Sequence, residues 1–117
     1  MTPKERAIQV AKILDEKKAL DIKVLHIGDL TSIGDYFVVA TGMSSTQVKA
    51  LSDEVDRLLS AEGIEPKRIE GMSGANWILM DYYEVIVHIF QKETREFYQL
   101  ERLWADAPEV PFLEEEN

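Results

Sequence analysis

The chain has 117 residues, of which 45% are hydrophobic and 30% are charged, and its formal net charge is −9. This length suits one domain with one hydrophobic core, and no apolar run approaches the roughly 18 residues that a membrane-spanning helix needs. The absence of cysteine excludes disulfides, thiolate catalysis and cysteine metal sites. The excess acidic charge opposes the phosphate backbone of nucleic acids and favours a basic protein partner. The start, MTPKERAIQV, lacks the apolar segment of a signal peptide, so we expect a cytoplasmic protein with no membrane attachment.

The first predicted element is a capped amphipathic helix. Thr2 can cap it, Pro3 suits the first helical position, and Glu5 can complete a capping box. Apolar residues then recur at helical spacing as far as Leu14, and the lysines at 17–18 favour a helix end there.

Two strands and a second helix follow. Residues 21–27 and 36–41 are predicted strands, separated by the turn-rich segment GDLTSIGD. YFVVAT is apolar on both faces, which suits an interior strand. Ser44 and Gln47 form a second capping signature, before a long helix that should end at Gly63. A strand, helix, strand order implies a crossover connection and at least one parallel pair.

Three more strands and a third helix complete the predicted fold. Residues 64–71 would form the third strand at an edge of the sheet, because they contain a proline and several charges, which are tolerated there. Residues 76–80 and 84–90 should pair as a hairpin. Residues 94–104 are predicted to form a helix whose apolar side is lined by Phe97, Leu100 and Trp104. The expected class is α/β, with a single mixed five-stranded sheet and three helices.

The expected domain covers residues 1–107. Residues 108–117 contain two prolines and three consecutive glutamates. This composition predicts an acidic, flexible tail.

No motif in the sequence indicates nucleotide or metal chemistry. The Walker loop and the GxGxxG fingerprint are both absent, and no D-x-D occurs in a predicted strand. TGMSS joins a strand to a helix and could present backbone amides to an anion, but helix capping explains it adequately. We therefore expect no cofactor and no metal.

His88 is the residue that most resembles a catalytic group, because Asp81 and Glu84 lie close to it in sequence. A general base needs an orienting partner and a nucleophile or water site, and a metal needs converging ligands. Neither arrangement is visible in the sequence. The favoured interpretation is a hydrogen-bonded core histidine, and a nucleotide- or metal-dependent enzyme is the alternative.

The hairpin NWILMDYYEVIVHIF is apolar on both faces. Three helices are too few to shield both faces of a five-stranded sheet, so exposed apolar area is expected. Such area, particularly around tryptophan, tyrosine and methionine, usually marks an interaction site. Two alternatives stay open: Trp77 could be ordinary core, or a second copy of the chain could cover the surface as a homodimer.

Three blocks, DYFVVATGMSSTQVKAL, EGMSGANWILMDYYEVIVHIF and TREFYQLERLW, together resemble the ribosomal silencing factor family, also called the Iojap family. The resemblance implies a nucleotidyltransferase-like fold without the catalytic acids, and no enzyme activity. It also implies binding to a basic protein, number fourteen of the large-subunit series, on the face where the ribosomal subunits join. Members would thereby block docking of the small subunit and lower translation when nutrients are scarce.

Carried over by position, this resemblance places the partner-binding residues in the WILMDY block. The candidates are Trp77, Ile78, Met80, Asp81 and Tyr82. The apolar members would bury area, and the aspartate would meet a basic side chain of the partner. The sequence departs from the family where Tyr83 and Glu84 replace the usual glycine and aspartate of the hairpin turn, and where Thr46 replaces the usual arginine.

Overall fold

The architecture was obtained as a computed structural model, which describes residues 1–113. The helices and strands, in chain order, are α1 (Pro3–Glu16), β1 (Leu20–His26), β2 (Tyr36–Gly42), α2 (Ser45–Ala61), β3 (Arg68–Glu70), β4 (Trp77–Tyr82), β5 (Val85–Gln91), α3 (Lys92–Tyr98) and α4 (Leu100–Leu103). The strands of the described residues form one five-stranded sheet in the order β1-β2-β5-β4-β3. Pairing of β2 with β5 is parallel and the other pairs are antiparallel. The predicted mixed five-stranded α/β sheet is therefore confirmed. Within this part of the chain, no helix is long and apolar enough to cross a membrane.

Both long helices begin at the predicted caps. The Glu5 backbone N–H donates to Thr2 Oγ1 over 3.1 Å, and the Thr2 N–H donates to Glu5 Oε1 over 2.8 Å. At the start of α2 the Gln47 N–H donates to Ser44 Oγ over 3.1 Å. These bonds satisfy amide groups that have no partner inside a helix. Gly63 follows the end of α2 with a φ of 80°, which a residue without Cβ adopts at low cost.

The hairpin between β4 and β5 turns at Tyr83 and Glu84. Tyr83 has a φ of 73°, and its backbone N–H donates to Asp81 Oδ1 over 2.8 Å. A positive φ at the first turn residue is typical of the primed hairpin turns, in which glycine or asparagine is preferred. The aspartate bond helps to hold a tyrosine in that conformation.

The third predicted helix is wrong in one respect, because it is broken. Gln99 lies between α3 and α4 with φ 50° and ψ 53°, the left-handed conformation. The break turns the chain, so that Leu100 is buried whereas Phe97 is 79% exposed. Phe97 therefore does not share an apolar side with Leu100 and Trp104, as the unbroken spacing predicted.

The two faces of the sheet are covered unequally. Helices α1 and α2 pack on one face, over side chains that include Val38, Met80 and Ile89. On the other face, Phe37 and Phe90 lie under α3, α4 and the chain that leads to Ala107. This second cover consists of helices of seven and four residues, and it leaves part of β4 accessible.

The chain after α4 returns to the outer edge of β1. The His26 N–H donates to the Pro108 carbonyl over 2.9 Å, and the Val110 N–H donates to the Val24 carbonyl over 2.7 Å. Val110 and Phe112 pack against the larger core cluster. The described part of the predicted tail is thus attached to the sheet. Residues 114–117 lie outside the described residues, and the flexibility of the tail stays a prediction.

Candidate partner-binding site

Trp77 lies on the more open face of the sheet and is half-buried. Its ring stacks on Phe90 with the centroids 4.7 Å apart, and it contacts Tyr98 of α3 at 5.2 Å. Tyr98 in turn contacts Phe97 edge to face at 5.0 Å. An unbroken row of rings therefore runs from the core at Phe90 to the surface at Phe97.

Exposure increases along this row. Phe97 is 79% exposed and Tyr98 is 55% exposed. Leu79, two residues after Trp77 on the same face of β4, is also half-buried. We call these four residues the aromatic patch: Trp77, Leu79, Phe97 and Tyr98. Exposed and half-buried apolar side chains grouped on one face are typical of protein interaction sites.

His88 supports the patch from beneath. The Trp77 Nε1–H donates to His88 Nδ1 over 3.0 Å, so the proton of the neutral imidazole resides on Nε2. The His88 ring also packs edge to face with Phe37 at 4.6 Å. Burial lowers the pKa of His88 to about 4. The histidine is therefore neutral at physiological pH and serves as a hydrogen-bonded core residue.

Two of the sequence candidates lie on the opposite face. Ile78 and Met80 are 0% exposed and belong to the cluster under α1 and α2. Because side chains alternate along a strand, Trp77 and Leu79 face away from them. Ile78 and Met80 therefore offer no surface to a partner and act only by holding β4 in place.

The other two candidates lie at the far end of β4. Asp81 is 8% exposed, and its carboxylate already accepts from the Tyr83 N–H and lies 3.7 Å from Arg68 Nε. Tyr82 is 5% exposed on the α1 and α2 face. Its pKa is raised by burial and, to a smaller extent, by the charges of neighbouring acids. The structure therefore does not bring the five candidates together as one surface.

Tyr98 was not selected from the sequence, and Phe97 was predicted to lie on one side of an unbroken helix with Leu100 and Trp104. Leu79 was also not selected, although the sequence carries a signal for it. Leu79 alternates with Trp77 along β4, so both side chains lie on one face of the strand. No sequence mark distinguishes Gln99 as the point where the helix breaks. In residues 1–113, no group of three or more histidine, aspartate or glutamate side chains converges as a possible metal site.

Comparison with known proteins decides the family. The profile of the family described as "ribosomal silencing factor during starvation" matches residues 1–117. The chain belongs to this family. Among its relatives, the ribosomal silencing factor RsfS of Halalkalibacterium halodurans is 41% identical over 97 residues, which is 83% of each chain. RsfS of Bacillus subtilis is 40% identical over 98 residues, covering 84% of this chain and 83% of that one.

A solved structure agrees with the silencing factor fold. The crystal structure of a protein from Chromobacterium violaceum superimposes with a TM-score of 0.86 at 34% identity, covering 90% of this chain and 88% of that chain. Family membership makes this silencing factor a ribosome-associated regulator of translation. The family name describes a regulator and not a class of enzyme.

Proposed function

We propose that this silencing factor binds the large ribosomal subunit through the aromatic patch and prevents the small subunit from joining. The contact would be made with basic protein number fourteen of the large-subunit series, on the face where the subunits meet. The binding would occur in the cytoplasm and lower translation when nutrients are limiting. The observation that supports this proposal is the row of exposed apolar rings on the thinly covered face of the sheet.

The aromatic side chains of the patch and the net charge of the protein suit such a contact. Tryptophan and other aromatic side chains are enriched among the residues that dominate binding energy at protein interfaces. A net charge of −9 favours encounter with a basic partner, because opposite potentials speed association. We therefore expect the aromatic patch to supply affinity and the net negative charge of the protein to supply rate and selectivity.

Steric obstruction is sufficient to explain silencing. The molecule measures 35 × 33 × 31 Å, so a single copy on the joining face would occupy space that the small subunit needs. No bond has to be made or broken. The alternative, a nucleotide- or metal-dependent enzyme, predicts binding heat when ATP and magnesium are titrated into the protein, and the proposal predicts none.

The first experiment compares two exposed apolar residues at opposite ends of the sheet. Phe97→Ala removes a patch ring that is 79% exposed, and Leu30→Ala removes a side chain that is 48% exposed in the loop before β2. Neither change should affect folding, because neither side chain is in the core. We expect Phe97→Ala to weaken cosedimentation with purified large subunits about tenfold, the range of an interface anchor.

The control variant should cosediment as the parent protein does. Equal loss of binding in both variants would show that the site is not confined to the patch. If the Phe97→Ala variant and the Trp77→Ala variant both bind as the parent protein does, the contact lies elsewhere and the proposal is contradicted. Added protein should also shift a mixture of ribosomal subunits towards free large subunits.

A further inference from the structure

Arg95 of α3 is a buried cation that joins three separate elements. Its side chain is 9% exposed. Nη1 donates to the Asp21 carbonyl over 2.6 Å and to Thr41 Oγ1 over 2.7 Å. Nε and Nη2 donate to the two carboxylate oxygens of Glu101 over 3.2 and 3.3 Å. The guanidinium therefore ties α3 to β1, to the end of β2 and to α4.

This bonding pattern is costly to disturb. A guanidinium has five N–H groups, and four of those of Arg95 donate within the described residues. The forked contact with Glu101 has the bidentate geometry that fixes direction as well as distance. A buried charge without its partner is strongly destabilising, so the Arg95 side chain is held to one position relative to the sheet.

The ion pair spans the corner that exposes the aromatic patch. Gln99, which breaks the helix, lies between Arg95 and Glu101 in sequence, and its backbone N–H donates to the Arg95 carbonyl over 2.9 Å. A left-handed conformation is unfavourable for a residue other than glycine. The contact between Arg95 and Glu101 compensates by joining the helix on each side of the corner. The two patch residues of α3, Phe97 and Tyr98, lie between the ends of this contact.

We infer that Arg95, through its ion pair with Glu101, is a positioning residue that fixes the α3–α4 corner and so holds Tyr98 against Trp77 in the partner-binding site. This inference rests on the proposed function of the aromatic patch. Arg95 itself is buried and does not touch the partner. Its contribution is to present two exposed rings in a fixed arrangement, so that little conformational entropy is lost when the partner binds.

The test is a double-mutant cycle on binding to purified large subunits. Glu101→Gln keeps an uncharged acceptor at a partly exposed side chain, and Arg95→Lys keeps the charge but loses the fork. Each change should weaken binding about tenfold in the parent background. In a background that lacks both rings, Phe97→Ala with Tyr98→Ala, the same change should alter binding less than about twofold, because the rings that it positions are absent.

Glu54→Gln provides the matched control. Glu54 accepts a similar fork from Arg57 on α2, with distances of 2.8 and 3.0 Å, but lies on the opposite side of the sheet from the patch. Its loss should leave binding to large subunits unchanged. An NMR contact between the rings of Trp77 and Tyr98 should persist in this control and weaken in Glu101→Gln.

The outcomes separate the inference from the proposed function. If Tyr98→Ala and Trp77→Ala both bind as the parent does, the proposed site is wrong and the inference is lost with it. If they weaken binding but Glu101→Gln and Arg95→Lys do not, the site stands and the inference is overturned. An equal loss in both backgrounds, or loss of the folded state in both variants, would make Arg95 a stability residue only and would also overturn the inference.

Discussion

The indole N–H of Trp77 donates to Nδ1 of His88 over 3.0 Å across the neighbouring strands β4 and β5. An indole N–H can only donate, so this bond requires an unprotonated Nδ1. Protonation of His88 would leave two donors facing each other in a buried site. The orientation of the central ring of the aromatic patch thus depends on a histidine that stays neutral.

This pairing predicts a specific dependence of stability on pH. Burial lowers the pKa of His88 from 6.5 to about 4 in the folded protein. As the pH falls below about 6.5 the unfolded chain binds a proton before the folded protein does, so the free energy of unfolding decreases until about pH 4. The total loss from this group is on the order of 3 kcal/mol. Urea unfolding at several pH values measures it.

The control for that measurement is His88→Asn, which offers the Trp77 N–H an amide oxygen near the position of Nδ1 and does not titrate. Its unfolding free energy should decrease less than that of the parent between about pH 6.5 and about pH 4. Parallel curves for parent and variant would contradict the assignment of this step to His88.

Met80→Ala is expected to destabilise the protein without acting on the partner directly. Met80 is 0% exposed in the core under α1 and α2, and truncation of such a side chain costs about 2–5 kcal/mol. Leu79→Ala, one residue earlier on the half-buried face, should cost clearly less. Urea unfolding of the two variants checks the order. A smaller loss for Met80→Ala than for Leu79→Ala would reverse the assignment of faces.

Gly71→Ala should distort the start of β4. A Cβ at Gly71 would lie 2.0 Å from the Trp77 carbonyl oxygen, and the φ of Gly71 is 89°. Gly63 has a comparable φ of 80° but open space around the added atom. We expect a loss of about 1 kcal/mol for Gly63→Ala from the backbone alone, and at least about 2 kcal/mol for Gly71→Ala. Thermal unfolding distinguishes the two, and equal losses would mean that the loop before β4 gives way freely.

Gln99→Gly is expected to stabilise the protein. Gln99 occupies the left-handed conformation, which glycine adopts without steric cost. The expected gain in unfolding free energy is up to about 1 kcal/mol. Gln99→Ala keeps the Cβ and removes only the amide, which accepts from Arg102 Nη1 over 2.8 Å, so it should not stabilise. A lower melting temperature for the glycine variant would argue against a strained corner.

Local rules account for most of the predicted fold. The caps of α1 and α2 were predicted because Thr2 and Ser44 each precede a glutamate or glutamine by three residues, a spacing that acts within one turn. The interior position of β2 follows from a strand that is apolar on both faces. The break at Gln99 could not be predicted, since no local signal marks it and the bonds of the neighbouring Arg95 reach groups from distant parts of the chain.

The site was predicted less completely than the fold. Trp77 was selected, but the sequence could not say which side of β4 faces the two long helices, because both sides are apolar. That choice is made by the packing of α1 and α2, which places Ile78 and Met80 in the core. Tyr98 and Phe97 join the site only because the helix breaks after them. Binding by the patch itself stays a prediction.

The segment from Pro108 to Val110 covers the outer edge of β1, where another chain could otherwise pair with the sheet. It occupies the outer hydrogen-bonding groups of β1 at Val24 and His26, and the next residue, Pro111, has no amide to offer a further strand. A chain truncated after Ala107 would leave β1 as an unprotected edge strand, and we expect it to self-associate through that strand. Protein prepared for ribosome-binding experiments should therefore retain residues 108–111.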